Sequence, residues 1–315
     1  MTTTVSDFNA DQIVNTIKVE LAKQLAGIEG ISFLSIYITG SFARGDAHRN
    51  SDIDIFFIYD DIQAGRQFSK ISANEVFTKV INICREMRLP EFSNDGEFLF
   101  KMYTLSNMTT YIGKPEDDYH NYFTARLLML LESECVYNDI IFSKYLNEII
   151  NSYFRDYDNH PEDFKPIYLI NDIVRFWKTL CLNYEMRRND ESSRGKGKHA
   201  IKNLKLKYSR LLTCYTLIIP LCKHSSCSRE NLISLVNKKP MQRLEGILTE
   251  DDLEKLKADY DEFLRFTHDA DKAKELMLEK ENRDSWSAKG EEFGAILYAI
   301  LNKQADPSVI RYVAL

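Results

Sequence analysis

The residues of this chain best suited to chemistry lie in one stretch, ITGSFARGDAHRNSDID, which runs from Ile38 to Asp54. The apolar runs ISFLSIY before it and IFFIY after it are typical of strands that are covered on both faces. Asp52 and Asp54 are separated by one residue, and side chains at that spacing on a strand project from the same face. Two neighbouring carboxylates repel each other, so when they are buried they need a cation.

The loop between the two predicted strands supplies groups that suit a phosphate. Oxygen ligands on a short strand favour Mg²⁺, which takes one or two carboxylates together with substrate phosphates. Gly40 allows a close approach of the backbone, and the hydroxyl of Ser41 with nearby N–H groups can hold phosphate oxygens. Arg44 and Gly45 continue the same loop. The sequence therefore predicts a phosphate-binding loop that faces a metal site, as phosphoryl or nucleotidyl transfer requires.

In residue types, spacing and context, residues 36–59 resemble the nucleotidyltransferase superfamily of the DNA polymerase beta type. The resemblance implies a nucleoside triphosphate (NTP) substrate, two Mg²⁺ ions, and transfer of a nucleoside monophosphate with release of pyrophosphate. The resemblance assigns nucleotide binding to Gly40, Ser41, Arg44 and Ser51. It assigns metal binding and catalysis to Asp52 and Asp54.

The resemblance also implies a third carboxylate on a neighbouring strand, near the attacking oxygen. The segment FSNDGEFLF offers two candidates, Asp95 and Glu97. Glu97 opens the predicted third strand and is the favoured catalytic and metal-binding residue. Asp95 lies in an Asn-Asp-Gly sequence that is typical of a turn. Because the family more often has Asp at this position, both residues remain candidates.

The pattern of apolar residues predicts an α+β protein with two domains. The first hundred residues follow the order helix, strand, strand, helix, strand, with the strands at 31–38, 51–60 and 97–105. From about residue 120 onward the pattern is helical throughout. We therefore predict a nucleotidyltransferase catalytic domain with a small mixed sheet at residues 1–115, followed by an all-α helical bundle at residues 116–315 that contributes to nucleotide and acceptor binding.

Two predicted helices of the second domain carry basic residues on otherwise apolar sequences, NDIVRFWKTLCLNYEMRR and KNLKLKYSRLL. A solvated face is the usual explanation for such residues, and binding of a triphosphate is the alternative. This part of the chain resembles, more weakly, stand-alone bacterial nucleotidyltransferases with a helical C-terminal domain. The residues predicted to bind nucleotide there are Arg175, Lys178, Lys202, Lys205 and Arg210.

Length and composition restrict the class of protein. The chain has 315 residues, 44% hydrophobic and 28% charged, which suits two globular domains. Its net charge of −6 argues against binding of extended duplex nucleic acid. No apolar run approaches the roughly 18–20 residues of a membrane span, and the N-terminus does not resemble a signal peptide. We therefore expect a cytoplasmic protein that does not bind membranes.

Three functions are consistent with these features. The first is a Mg²⁺-dependent nucleotidyltransferase whose acceptor is a protein, an RNA end or a small molecule. The second is a synthase of signalling oligonucleotides, which uses the same residues but needs room for two nucleotides. The third is a non-catalytic nucleotide-binding regulator or antitoxin-like partner, against which the intact Asp52 and Asp54 argue.

Overall fold

A computed structural model describes residues 8–90, 92, 101–187, 193–223 and 225–314. The chain divides into two compact units, Met1–Ser152 and Tyr153–Leu315. The first unit contains a small mixed sheet and the second is helical, so the expected α+β fold is confirmed.

Among the described residues, four strands form the sheet of the first unit, in the order β3-β2-β1-β4. Strand β1 pairs antiparallel with both β2 and β4, and β3 runs parallel to β2. The strands are β1 Leu34–Thr39, β2 Asp54–Tyr59, β3 Met102–Thr104 and β4 Ser133–Tyr137.

Helices cover both faces of this sheet, and polar residues start the two longest of them. The side chain of Asn9 accepts a hydrogen bond from the N–H of Gln12 at the start of α1, and Ser69 does the same for Ser72 at the start of α4. The helices are α1 Ala10–Gln24, α2 Gly40–Arg44, α3 Asp61–Ala64, α4 Lys70–Glu86, α5 Leu105–Thr110, α6 Pro115–Tyr119, α7 Tyr122–Leu131 and α8 Asp139–Asn151.

The continuous apolar runs of β1 and β2 arise because each strand is buried on both faces. Side chains such as Ile36 and Ile55 pack with those of α1 and α4 on one face. On the other face Tyr37 stacks on Phe56, with ring centroids 5.3 Å apart, and contacts Phe142 of α8. Burial of each such side chain contributes about 1.5–3 kcal/mol, which makes these two strands the centre of the unit.

The structure differs from the sequence prediction in the position of strands and in the unit boundary. Strand β4 lies in a region that was expected to be helical, and the units divide after Ser152 rather than at residue 115. Two of the five residues SECVY, Ser133 and Glu134, are polar, and their pairing with β1 joins distant parts of the chain, so local periodicity gave no strand signal. Strand β2 begins at Asp54, three residues later than expected. Strand β3, Met102–Thr104, lies within the expected third strand at 97–105, of which residues 97–100 are outside the described residues.

The second unit is helical, with aromatic packing in its core. Tyr208 stacks on Phe263 at 4.5 Å, and Phe293 lies 4.8 Å from Tyr208. Helix α9 packs on α11, while α10 packs on α14 and α15. Bounds are α9 Ile167–Arg187, α10 Ser193–Lys205, a π-helical turn Leu206–Arg210, α11 Leu211–Leu221, α12 Arg229–Val236, α13 Glu250–His268, α14 Ala270–Leu276, α15 Lys280–Gln304 and α16 Pro307–Ala314.

A search of the described ranges for membrane-spanning helices finds none with both the length and the apolar character that crossing requires.

Candidate active site

The register of the sheet brings three polar side chains to one edge of the first unit. Thr39, the last residue of β1, is paired with Asp54 at the start of β2 and with Ser133 at the start of β4. Residues directly opposite each other on neighbouring strands project from the same face. Asp54, Thr39 and Ser133 therefore form a row across the end of the sheet, at the point where β1 enters the predicted phosphate-binding loop.

Gly40 follows this row and brings the backbone close to the carboxylate of Asp54. Its φ is 73°, in the left-handed region that glycine adopts without a steric penalty. A Cβ atom at this position would lie 3.3 Å from Oδ2 of Asp54. Glycine therefore serves two needs here, since it makes the turn and keeps the space beside the carboxylate open.

Asp54 lies on the face of β2 opposite to Ile53 and Ile55, and the expected alternation places Asp52 on the same face as Asp54. Ile53 and Ile55 are 1% and 2% exposed and belong to the core on the opposite side of the strand. Asp54 is half-buried and Asp52 is exposed. Asp52 lies two residues before the start of β2. The alternation of exposed and buried side chains that is typical of a strand therefore begins before the residues that pair with β1.

The side chain of Arg44 forms ion pairs within the first unit. Its Nε and Nη2 donate to Oδ2 and Oδ1 of Asp46 at 2.9 and 3.1 Å, and its Nη1 donates to Oε2 of Glu132 at 2.5 Å. Hydrogen bonds between charged groups in this two-pronged arrangement are strong and directional. Binding of nucleotide by Arg44 stays a prediction. The residue that sequence reasoning missed is Glu132, which lies 88 positions away and carries no local signal.

Polar groups of the loop also hold its two ends. The N–H of Asp46 donates to the carbonyl of Ser41 at 2.9 Å. Ser51 is buried, and its hydroxyl accepts a hydrogen bond from the N–H of His48 at 2.9 Å, while its own N–H donates to the His48 carbonyl. The nucleotide-binding roles of Ser41 and Ser51 stay predictions, and Ser51 has a structural role in closing the turn.

The basic residues predicted to bind nucleotide lie in the second unit. Arg175 on α9 is half-buried, with Nη1 3.6 Å from Oδ1 of Asp172, and Lys178 on the same helix is exposed. Lys202 and Lys205 are exposed on α10. Arg210 is half-buried at the end of the π-helical turn, and the contribution of all five residues to nucleotide binding stays a prediction.

A comparison with protein families gives the first unit its class. Residues 21–87 match the family model described as a nucleotidyltransferase domain, and this range includes Gly40, Ser41, Asp52 and Asp54. The chain contains a nucleotidyltransferase domain. The match confirms the resemblance found in the sequence and identifies the protein as an enzyme of nucleotidyl transfer. A comparison with curated proteins finds no match to the chain.

The nucleotidyltransferase domain offers oxygen atoms that fit a divalent cation. Beside the two carboxylates, the buried Oγ1 of Thr39 has no hydrogen-bond partner among the described residues, although it lies next to Asp54 in the row. Such an orphaned hydroxyl suits a water molecule of a hydrated Mg²⁺, which keeps several waters in proteins. The described residues contain no group of three or more His, Cys, Asp or Glu side chains that could hold a metal ion. The third-carboxylate candidates, Asp95 and Glu97, lie outside the described residues.

At the other end of its strands, the nucleotidyltransferase domain is fixed by Tyr145 of α8. The hydroxyl donates to the carbonyl of Phe33 at 2.6 Å and accepts from the N–H of Asp60 at 3.1 Å. Burial, with a smaller contribution from the charges of Asp60 and Asp61, raises the pKa of Tyr145 to about 12. This one neutral hydroxyl thus links the start of β1 to the end of β2.

Proposed function

We propose that this protein transfers a nucleoside monophosphate from an NTP to a hydroxyl group of an acceptor, with Mg²⁺ as cofactor and pyrophosphate as the second product. The observation that carries the proposal is the approach of Gly40 to Asp54, where a Cβ would lie 3.3 Å from the carboxylate. This close approach supports a site in which the phosphates of the NTP lie on the turn at Gly40 and face the carboxylate of Asp54. The match to a nucleotidyltransferase domain over residues 21–87 supports the same reaction.

Each residue of the turn has a role that follows from its chemistry. The hydroxyl of Ser41 and the N–H groups of the turn would donate to oxygens of the triphosphate. Asp52 and Asp54 would hold two Mg²⁺ ions, which neutralise the charge of the phosphates when bound. The hydroxyl of Thr39 would orient a water molecule beside Asp54. Positioning and charge neutralisation provide most of the catalysis in reactions of this kind.

The reaction needs an oxygen nucleophile and a route for its proton. The acceptor oxygen attacks the α-phosphorus, the bond to the pyrophosphate oxygen breaks, and the acceptor proton passes to a base. We propose Glu97 as that base, with Asp95 as the alternative, on the basis of the resemblance. The acceptor itself is a protein, an RNA end or a small molecule.

A labelling experiment tests this reaction and finds the acceptor. The protein is incubated with Mg²⁺ and each NTP in turn, labelled on the α- or the γ-phosphate, alone and with cell lysate. Transfer of a nucleoside monophosphate predicts that α-label enters a product and that γ-label leaves as pyrophosphate. The label then lies on a protein band, on RNA, or in a soluble small molecule or oligonucleotide. Incorporation of γ-label with no α-label would indicate a kinase instead and would refute the proposal.

A further inference from the structure

Three charged side chains beside the turn are almost completely buried. The exposed fractions of the side chains of Arg44, Asp46 and Glu132 are 9%, 6% and 1%. Removing charges from water costs several kcal/mol for each ion, and only good geometry offsets this cost. Three hydrogen bonds from one guanidinium to the two carboxylates provide that geometry. A buried arrangement of this kind fixes the relative positions of the chain segments that it joins.

The cluster of Arg44, Asp46 and Glu132 joins the two chain segments that lie beside the row of polar side chains at the end of the sheet. Arg44 is the last residue of α2, the helix that begins at Gly40. Glu132 directly precedes Ser133, which pairs with Thr39. The guanidinium therefore connects the phosphate-binding loop to the strand on the other side of Thr39.

The cluster also reaches Ser41 through the backbone. Both oxygens of Asp46 are bound by Arg44, and the N–H of Asp46 donates to the carbonyl of Ser41 at 2.9 Å. A shift of Arg44 would move Asp46 and, with it, the residue predicted to bind phosphate. Misplacement of a binding group by about 1 Å can reduce activity by roughly a hundredfold.

We propose that Arg44 is a positioning residue, which sets the geometry of the Gly40–Asp46 turn for an NTP through its ion pair with Glu132. The guanidinium then acts from within the domain, and the phosphates are bound by the turn itself. This inference rests on the proposed function. It adds Glu132 and Asp46 to the residues on which NTP use depends, although the resemblance assigns neither of them a role in nucleotide binding.

The test compares Arg44→Gln, Glu132→Gln and the double variant with the wild type. Glu134→Gln is the matched control, since Glu134 lies two residues further along the chain, in β4, and forms a more exposed ion pair with Lys18 at 3.0 Å. Two properties are measured: the KM and kcat for NTP in the labelling assay, and the exchange rates of backbone amides in residues 40–51. Glu132→Asp, which keeps the charge, replaces Glu132→Gln if that variant does not fold.

Positioning predicts that each single variant raises the KM for NTP by roughly ten- to hundredfold and speeds amide exchange in the turn. The double variant should be no worse than the poorer single variant, because both changes break one interaction. Arg44→Lys should recover part of the loss, since it keeps the charge but not the planar fork. The control should match the wild type in both properties.

Two results would overturn the proposal. If Glu132→Gln keeps the wild-type KM and slow amide exchange while Arg44→Gln loses NTP use, Arg44 is a direct ligand of the triphosphate. If the effects of the two single variants multiply in the double variant, the residues act independently. A wild-type protein that transfers no nucleotide would refute the proposed function instead, and the exchange rates alone would then show whether the ion pair fixes the turn.

Discussion

The backbone of Gly40 adopts a φ of 73°, which costs a residue with a side chain about 1–2 kcal/mol. Gly27 has a similar φ of 88°, but a Cβ there would meet no atom within 4 Å. We predict that Gly40→Ala and Gly27→Ala lower the free energy of unfolding by similar amounts. Only Gly40→Ala should also weaken NTP binding, because its Cβ would crowd Asp54 where the phosphates must lie.

Thermal unfolding and an NTP titration of the two variants separate these effects. Equal NTP affinity for Gly40→Ala and Gly27→Ala would show that the space beside Asp54 is not part of the site. The comparison isolates crowding from backbone strain, since both variants share the strain.

At the scale of single residues, the sequence could indicate a shared site only for residues that lie close together in the chain. Gly40, Ser41, Asp52 and Asp54 lie within fifteen positions of one another, so their spacing alone indicated a shared site. The ion pair of Arg44 with Glu132 could not be predicted, because a lone Glu at the end of an apolar helix gives no sign of its partner 88 positions away.

At the scale of helices and strands, the hydroxyl of Tyr145 links α8 to the residues that flank β1 and β2. Burial raises the pKa of this hydroxyl to about 12. In the unfolded chain a tyrosine has a pKa near 10. Between about pH 10 and 12 the folded state therefore binds more protons than the unfolded state, so the free energy of unfolding falls as the pH rises. Below about pH 10 the contribution of this group is complete. We predict that Tyr145→Phe makes the fall in stability above pH 10 shallower.

Urea unfolding followed by circular dichroism at a series of pH values measures this slope. Tyr168→Phe is the control, because Tyr168 is 73% exposed and its replacement should leave the slope unchanged. A Tyr145→Phe slope equal to that of the wild type would mean that the hydroxyl ionises as easily in the folded state as in the unfolded one.

The basic residues of α9 and α10 give a second prediction at the scale of elements. If they bind the triphosphate, Arg175→Ala, Lys178→Ala and Lys205→Ala should each lower NTP affinity by about tenfold, as expected for a hydrogen bond between charged groups. Lys274→Ala and Lys289→Ala are the controls, since these lysines form ion pairs with Asp271 and Glu262. The affinity is measured by titration with a fluorescent NTP analogue. Losses no larger than those of the controls would identify a solvated face.

Helices and central strands were more predictable than the edge of the sheet. Periodic apolar residues located α1, α4 and α13 closely, because each of these helices buries one stripe. Strand β4 was missed because its strand conformation depends on pairing with β1 rather than on its own residues.

For the whole molecule, the division into Met1–Ser152 and Tyr153–Leu315 makes a prediction about fragments. A fragment of residues 1–152 should unfold cooperatively on heating, because it keeps β4 and the helices that cover Tyr37 and Phe56. A fragment of residues 1–115 should not, because β1 would lose its pairing with β4 and its buried aromatic side chains would be exposed. Circular dichroism of both fragments tests this, and cooperative unfolding of the shorter one would favour the boundary expected from the sequence.

The central claim is that Asp54 and the Gly40–Ser41 turn form a site for nucleotidyl transfer. The most direct test measures incorporation of α-labelled NTP by the wild type and by Asp54→Asn, with Asp118→Asn as a control for removal of an exposed carboxylate of the same unit. We predict that Asp54→Asn lowers incorporation by at least about a hundredfold. Its melting temperature should match that of the wild type or rise, because one of two like charges is removed. Full incorporation by a folded Asp54→Asn would contradict the account.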